Sequence, residues 1–205
     1  MRARKRTTTA PRRVPRSPLG TATVDAILGA VEQILETRGA EWLTTNHVAE
    51  VAGVSIGSLY QYFPNKLALL GALQDRYAED TYARVRAALD GAKAEPIRTV
   101  ILRVGAALLA ARQGQRPIHC WLIDSRTAAG VWERYRRSLD QQVELIAEFL
   151  AQRADVGVAD PRIAAFVVVH ATEGLTEAVS ERPGLDAAPI VFNAVEMVAR
   201  FVEKR

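Results

Sequence analysis

One cysteine, Cys120, is all the thiol chemistry in this 205-residue sequence. No disulfide can close within the chain, and no thiolate zinc site has the company it needs. No apolar run approaches the roughly 20 residues that a membrane-crossing helix requires. The N-terminus is basic but lacks the apolar core of an export signal. Alternating strand patterns are nearly absent, repeats of solenoid period are missing, and no long low-complexity segment follows the first 20 residues. The expectation is a cytoplasmic protein with no membrane partner, no metal and no cofactor. Hydrophobic residues make up 49% of the chain, which argues for a sizeable core and against global disorder.

Acid is also missing from one place. Residues 1–16 hold seven Arg or Lys (Arg2, Arg4, Lys5, Arg6, Arg12, Arg13, Arg16) and no Asp or Glu. The formal charge of the whole chain is +4, so the remainder, with 20 basic and 23 acidic side chains, carries −3. The positive charge is concentrated in an arm. Pro11, Pro15 and Pro18 interrupt it and disfavour a helix there. A basic arm of this kind is either a solvated tail or a further grip on nucleic acid phosphate.

Helical periodicity accounts for most of the rest, which makes the expected fold all-α. A first helix is expected from about Thr21–Thr23 to Gly39, with Ile27, Val31, Ile34 and Leu35 inward. Trp42 and Leu43 should pack beneath the next helix, which Thr44 or Thr45 caps. Thr45 to Pro64 then reads as helix, sharp turn, helix. Ala49 stands at a close helix crossing, Gly53 where the turn needs a positive φ, and Leu59 on the underside of the second helix. Ala49, Val54, Leu59 and Phe63 are read as core. Ser55 caps the second helix, and Ser58, Tyr60, Gln61 and Tyr62 are offered outward. This is the build of a helix-turn-helix whose second helix enters the DNA major groove. Pro64 ends that helix, and Asn65 can cap a fourth over Lys66–Leu89.

Beyond it, Pro96 suits the first turn of a helix that carries an apolar stripe to Ala111. Gly114 to Pro117 should break it, leaving a short apolar piece over 118–123. A longer helix is expected over Ala129–Arg153. Two more follow, one from Asp160-Pro161 to Arg182-Pro183-Gly184 and one over about Ala188–Glu203. Their apolar faces carry small residues: Ile163, Val167, Ala171, Gly174 and Ala178 on one, and Ala194, Val198 and Phe201 on the other. Such paired faces suit either an intramolecular core or a four-helix dimer interface.

The ungapped run from Ala52 through Gly53, Val54, Ser55, Gly57, Leu59, Tyr60, Tyr62 and Phe63 to Lys66 strongly resembles the N-terminal signature of the TetR (tetracycline repressor-like) family. The resemblance covers about residues 21–70 in detail. It implies a three-helix helix-turn-helix head over 21–66 behind the arm at 1–20, and a larger C-terminal helical bundle over 67–205 for ligand binding and dimerisation. By resemblance the DNA-contacting residues are Thr45, Asn46, Ser55, Ile56, Gly57, Ser58, Tyr60, Gln61, Tyr62 and Lys66. Gly57 permits close approach to DNA, and Lys66 meets a phosphate at a helix start. Ile56 departs from a polar base-reading residue and is suited to a thymine methyl instead.

The resemblance further implies a homodimeric repressor of a double-stranded operator, released by an unknown small-molecule effector. Candidate pocket residues are the aromatic and polar ones within apolar helical stretches: Tyr82, Arg103, His119, Trp121, Trp132, Tyr135, Phe149, Phe166, His170 and Glu173. Each has an alternative as ordinary core, and His170 as an interface histidine. The other function kept open is a DNA-binding protein controlled by a protein partner, or an architectural one. His119 and Cys120 do not make a catalytic pair. Helix neighbours point about 100° apart, and no third member or oxyanion motif accompanies them.

Overall fold

The computed structural model describes residues 10–12, 17–124, 129–180, 182 and 184–204, with the side chains of 112–124, 129 and 180 outside that description. Among them are eight α-helices: α1 (Pro18–Thr37), α2 (Thr45–Val51), α3 (Ile56–Tyr62), α4 (Lys66–Leu89), α5 (Ile97–Asp124), α6 (Ala129–Ala151), α7 (Pro161–Ser180) and α8 (Ala187–Val202). Short 3-10 turns at Ala40–Trp42 and Ala92–Ala94 precede α2 and α5. The one pairing of extended chain among the described residues is an antiparallel bridge, Val156 with Glu203. The chain is all-α, as its periodicity requires.

The helices form two compact units, one from Met1–Arg76 with Pro117–Tyr135, the other from Tyr77–Arg116 with Arg136–Arg205. In the first, α1 packs on α2 and α2 on α3. The buried face of α1 is Ile27, Leu28, Val31, Ile34 and Leu35, and Leu43, Val48, Ala49, Leu59, Phe63, Leu69, Leu70 and Leu73 are buried with them. A fully buried large apolar side chain stabilises the fold by about 1.5–3 kcal/mol. Two consecutive residues of α4 add ion pairs: Arg76 with Asp25 of α1 at 2.6 Å, and Asp75 with Arg134 of α6.

In the second unit α7 packs on α8. Val143, Phe149, Leu150, Ala164, Ala165, Val169, Val195 and Ala199 are among its buried residues. Its polar centre is Arg153, only 3% exposed. The guanidinium donates to the carbonyls of Ala92 (2.8 Å) and Glu95 (2.5 Å) and grips both oxygens of Asp155. Arg98 joins Glu203 (2.6 Å) and Glu196 (2.7 Å). The segment after α8 is held beside 155–157: Gly157 N–H donates to Val202 O, and Lys204 N–H to Asp155 O. A side chain at Gly157 would meet the Lys204 Cα at 2.7 Å, so only glycine permits this approach.

Four expectations need correction. Helix α1 begins at Pro18, because proline presets φ at the first helical position and Ser17 Oγ accepts from Gly20 N–H at 3.2 Å. The arm therefore ends at Ser17. Residues 1–9 and 13–16 of it lie outside the described residues. The main chain of α5 stays helical through Gly114–Pro117. An interior proline costs about 3 kcal/mol, a local penalty that does not end this 28-residue helix. Trp42 is 52% exposed while Leu43 is buried, because the 3-10 turn directs the two to opposite environments. Val54 is half-buried rather than core, since it sits in the turn between α2 and α3.

Candidate nucleic-acid interface

Capping fixes both helices of the motif. Thr44 Oγ1 accepts from His47 N–H (3.2 Å) at the start of α2, and Ser55 Oγ accepts from Ser58 N–H (3.0 Å) at the start of α3. Between them Gly53 has φ +65. A Cβ there would touch nothing within 4 Å, so the requirement is conformational and not steric crowding. Gly53 N–H donates to Glu50 O and Val54 N–H to Ala49 O, closing the turn. The C-terminal end of α3 leads through Phe63 and Pro64 to Asn65, whose Oδ1 accepts from Ala68 N–H at 2.9 Å and caps α4.

With Leu59 fully buried, α3 has one inner face and one free face. Ser55, Ile56, Gly57, Tyr60 and Gln61 are exposed, and Ser58 and Tyr62 half-buried. Apolar Ile56 leads this face at 39% exposure. Tyr60 is held by its hydroxyl against Thr45 Oγ1 of α2 at 3.1 Å, which ties the outward faces of the two helices together. Asn46 is exposed beside it. Ser55 and Ser58 share a hydroxyl contact of 2.8 Å, so one hydroxyl is both cap and surface group. Lys66 Nζ donates to Ala40 O at 2.6 Å, which uses one of its three protons inside the head. Burial pushes its pKa down, and the Glu41 carboxylate partly offsets that.

Three features of this region were not legible in the sequence. Arg38 lies over the Trp42 ring, 5.4 Å from its centroid. The Nδ1 of His47 is 3.2 Å from Trp42 O. The backbone N–H of Arg12 donates to Tyr62 O at 2.7 Å. None has a local pattern to announce it. The first two join residues brought together by the turn before α2, and the third joins segments 50 residues apart.

The other candidates are scattered. Tyr135 and Phe149 are buried, Tyr82 and Glu173 half-buried. Trp132 is exposed with its ring 5.2 Å from that of Tyr135. Arg103 donates to Ala88 O (2.8 Å) and Glu95 (3.0 Å), while its Nη2 is buried without a hydrogen-bond partner. The side chains of His119 and Trp121 lie outside the described residues. Phe166 and His170 stack at 4.1 Å on the outer side of α7, where both are exposed. Their neighbours there are Ile163, Val167 and Gly174, all exposed. Ala171, Ala178 and Ala194 are half-buried, and Phe201 is exposed. Val198, at 7% exposure, faces its own unit, one position from exposed Met197. Phe192, 63% exposed, stands on the outer stripe of α8. Among the described residues no group of three His, Cys, Asp or Glu could hold a metal ion, and no helix is long and apolar enough to cross a membrane.

Comparison with known proteins matches two consecutive parts of the chain. Residues 27–73 match the family described as bacterial regulatory proteins, tetR family, and residues 96–201 match the tetracyclin repressor-like C-terminal domain. The chain is 29% identical over 131 residues to the nucleoid occlusion factor SlmA of Marinomonas sp. (strain MWYL1), covering 62% of each chain. It thus spans about three fifths of that relative's length. A TetR-family transcriptional regulator from Streptomyces coelicolor superposes with a TM-score of 0.68 at 26% identity, covering 89% of this chain and 96% of that one. SmeT, the repressor of the Stenotrophomonas maltophilia multidrug efflux pump SmeDEF, shares the fold at 19% identity and a TM-score of 0.72, with 90% and 92% covered. Its complex with triclosan gives 0.75 at 18% identity, with 89% and 92% covered.

Proposed function

The chain belongs to the tetR family of bacterial regulatory proteins, and from that premise we propose that it is a cytoplasmic, homodimeric repressor that a small molecule releases from its operator. The observation that carries the reading is the free face of α3. Ile56, Gly57, Tyr60 and Gln61 are exposed on a helix whose other side is anchored by Leu59 and whose first turn is capped by Ser55. A short helix presented this way suits the major groove, with base edges read near its N-terminus. Thr45, Asn46, Ser58, Tyr62 and Lys66 border it as backbone contacts. In this reading residues 21–66 touch DNA, and 67–205 dimerise and bind the effector.

Dimerisation is assigned to the outer stripes of α7 and α8. Ile163, Phe166, Val167, Phe192, Met197 and Phe201 are large apolar residues left exposed in the single chain. A monomer rarely leaves such a stripe to water, and an isologous pairing of two helices from each subunit would cover it. Two recognition helices must then stand about 34–36 Å apart to meet successive turns of one DNA face. An effector needs only to disfavour that spacing. SmeT in complex with triclosan supports a hydrophobic effector, and the buried, partnerless Nη2 of Arg103 offers it a polar contact.

The test is gel retardation of DNA from the region upstream of the chain's own gene, with and without triclosan as probe. Specific, salt-sensitive retardation supports the reading, and its absence contradicts it. The likeness to a protein named as a nucleoid occlusion factor supports a second reading, a DNA-binding protein without a small-molecule ligand that serves an architectural role or answers to a protein partner. Specific binding that a broad set of hydrophobic compounds leaves unchanged favours that one.

A further inference from the structure

The turn between α1 and α2 is held from several sides. Gly39, at φ +89, ends α1 and redirects the chain. Lys66 Nζ of α4 closes on Ala40 O at 2.6 Å. His47 of α2 donates from Nδ1 to Trp42 O at 3.2 Å, since a carbonyl only accepts. The main chain of Trp42 is therefore fixed while its indole stays 52% exposed. Arg38, the exposed residue that closes α1, lies over that indole, 5.4 Å from the ring centroid.

The surroundings of Arg38 set it apart. Arg76, Arg98, Arg103, Arg134 and Arg153 each meet a carboxylate. Among the described residues Arg38 meets none, and no hydrogen bond engages its guanidinium. The ring quadrupole attracts a cation placed over it, and that attraction consumes none of the five N–H donors. The acid of the turn, Glu41, has its carboxylate folded back over Gly39, where a Cβ would meet Oε2 at 2.7 Å.

From this arrangement we infer that Arg38 is a further phosphate-binding group of the DNA interface, presented beside the α3 footprint by Trp42, which acts as its positioning residue. The inference rests on α3 and its borders facing DNA, as proposed above. Its own support is position and chemistry. Trp42 is two residues from Ala40, whose carbonyl holds Lys66, and three from Thr45. At about 3.8 Å per step its Cα lies within about 8 Å of the Ala40 Cα and about 11 Å of the Thr45 Cα. Arg38 thus stands beside two of the backbone contacts proposed for this edge, Lys66 and Thr45. A planar guanidinium with free donors and no carboxylate matches a phosphate, which accepts two parallel hydrogen bonds from it.

The experiment measures binding of the full chain to random-sequence duplex DNA across a salt series. It compares the unaltered protein with Arg38→Ala, Trp42→Ala, Trp42→Phe and Arg38→Ala/Trp42→Ala. Both positions are exposed, so circular dichroism should find helicity unchanged. Arg38→Ala should weaken binding and lower the salt slope by about 0.9 for each phosphate released. Its deficit should then shrink about 3.5-fold for a fourfold rise in salt. Trp42→Ala should weaken binding too, and Trp42→Phe, which keeps a ring for the cation, should restore most of the loss. The double variant should bind no more weakly than Arg38→Ala alone. Arg86→Ala, exposed about 30 Å along α4 from Lys66, controls for loss of charge as such and should leave the slope unchanged. An equal drop in slope for Arg86→Ala and Arg38→Ala overturns the inference. Additive losses in the double variant overturn the positioning role of Trp42. If the unaltered protein does not bind duplex DNA at any salt, the proposed function falls and the inference falls with it. If it binds and Arg38→Ala matches it in slope and affinity, the inference alone falls, and an acidic protein segment becomes the partner to test.

Discussion

In the proposed function Lys66 serves two roles from one side chain. One ammonium proton closes on Ala40 O, locking the start of α4 to the turn before α2, and two remain for a phosphate. Burial already lowers its pKa, so an approaching phosphate stabilises a charge that the protein destabilises. Lys66→Ala should weaken DNA binding and reduce the salt slope by about 0.9 per subunit, read from anisotropy titrations. Gly53 serves geometry alone. Gly53→Ala should cost about 1–2 kcal/mol in urea unfolding, the penalty of a left-handed L-residue, because no neighbour obstructs the new Cβ. Asp155 links stability to pH. The hydrogen bond from Arg153 is the first cause that holds its carboxyl below the usual aspartate range. A lowered folded-state pKa stabilises the protein above the unfolded value of about 3.9, and that contribution is lost as pH falls through and below it. Asp155→Asn should flatten the fall in melting temperature between neutral and acidic pH.

At the scale of the element, caps and turns were legible because their chemistry is local. Thr44, Ser55 and Asn65 each hold an N–H within three residues, and Gly53 must bend whatever lies around it. Ser55→Ala should destabilise the head by about 1 kcal/mol in urea unfolding and fray α3. The illegible features depend on turn geometry and tertiary context that no local pattern announces. Local rules end a helix at Gly114–Pro117, but the main chain of α5 runs helical through them, since propensity is a weak prior that context overrides. Trp42 and Leu43 are neighbouring apolar residues, and only the geometry of the 3-10 turn sends one out and one in. The periodicity of α8 marks an apolar face but not which edge of it turns outward. Val198 is buried while Met197 and Phe201 are exposed.

On the whole-molecule scale, the proposed repressor needs two heads held at one spacing. The exposed stripes of α7 and α8 carry that requirement. A charge in their middle should dismantle the pair without disturbing either unit. Phe192→Glu, at a residue 63% exposed, should leave helicity unchanged while light scattering reports a shift from dimer toward monomer. DNA affinity should fall with it, since each half-site is then bound alone. The measurement that bears most directly on the central claim is selection of binding sites from random-sequence duplexes, run for the natural chain and for Ile56→Ala/Tyr60→Ala/Gln61→Ala. The natural chain is expected to enrich a two-fold-symmetric sequence with half-sites about one turn apart, and the triple variant, equally helical, to enrich none. Enrichment of the same sequence by both proteins, or no enrichment by the natural chain, would contradict the assignment of α3 as the helix that reads DNA.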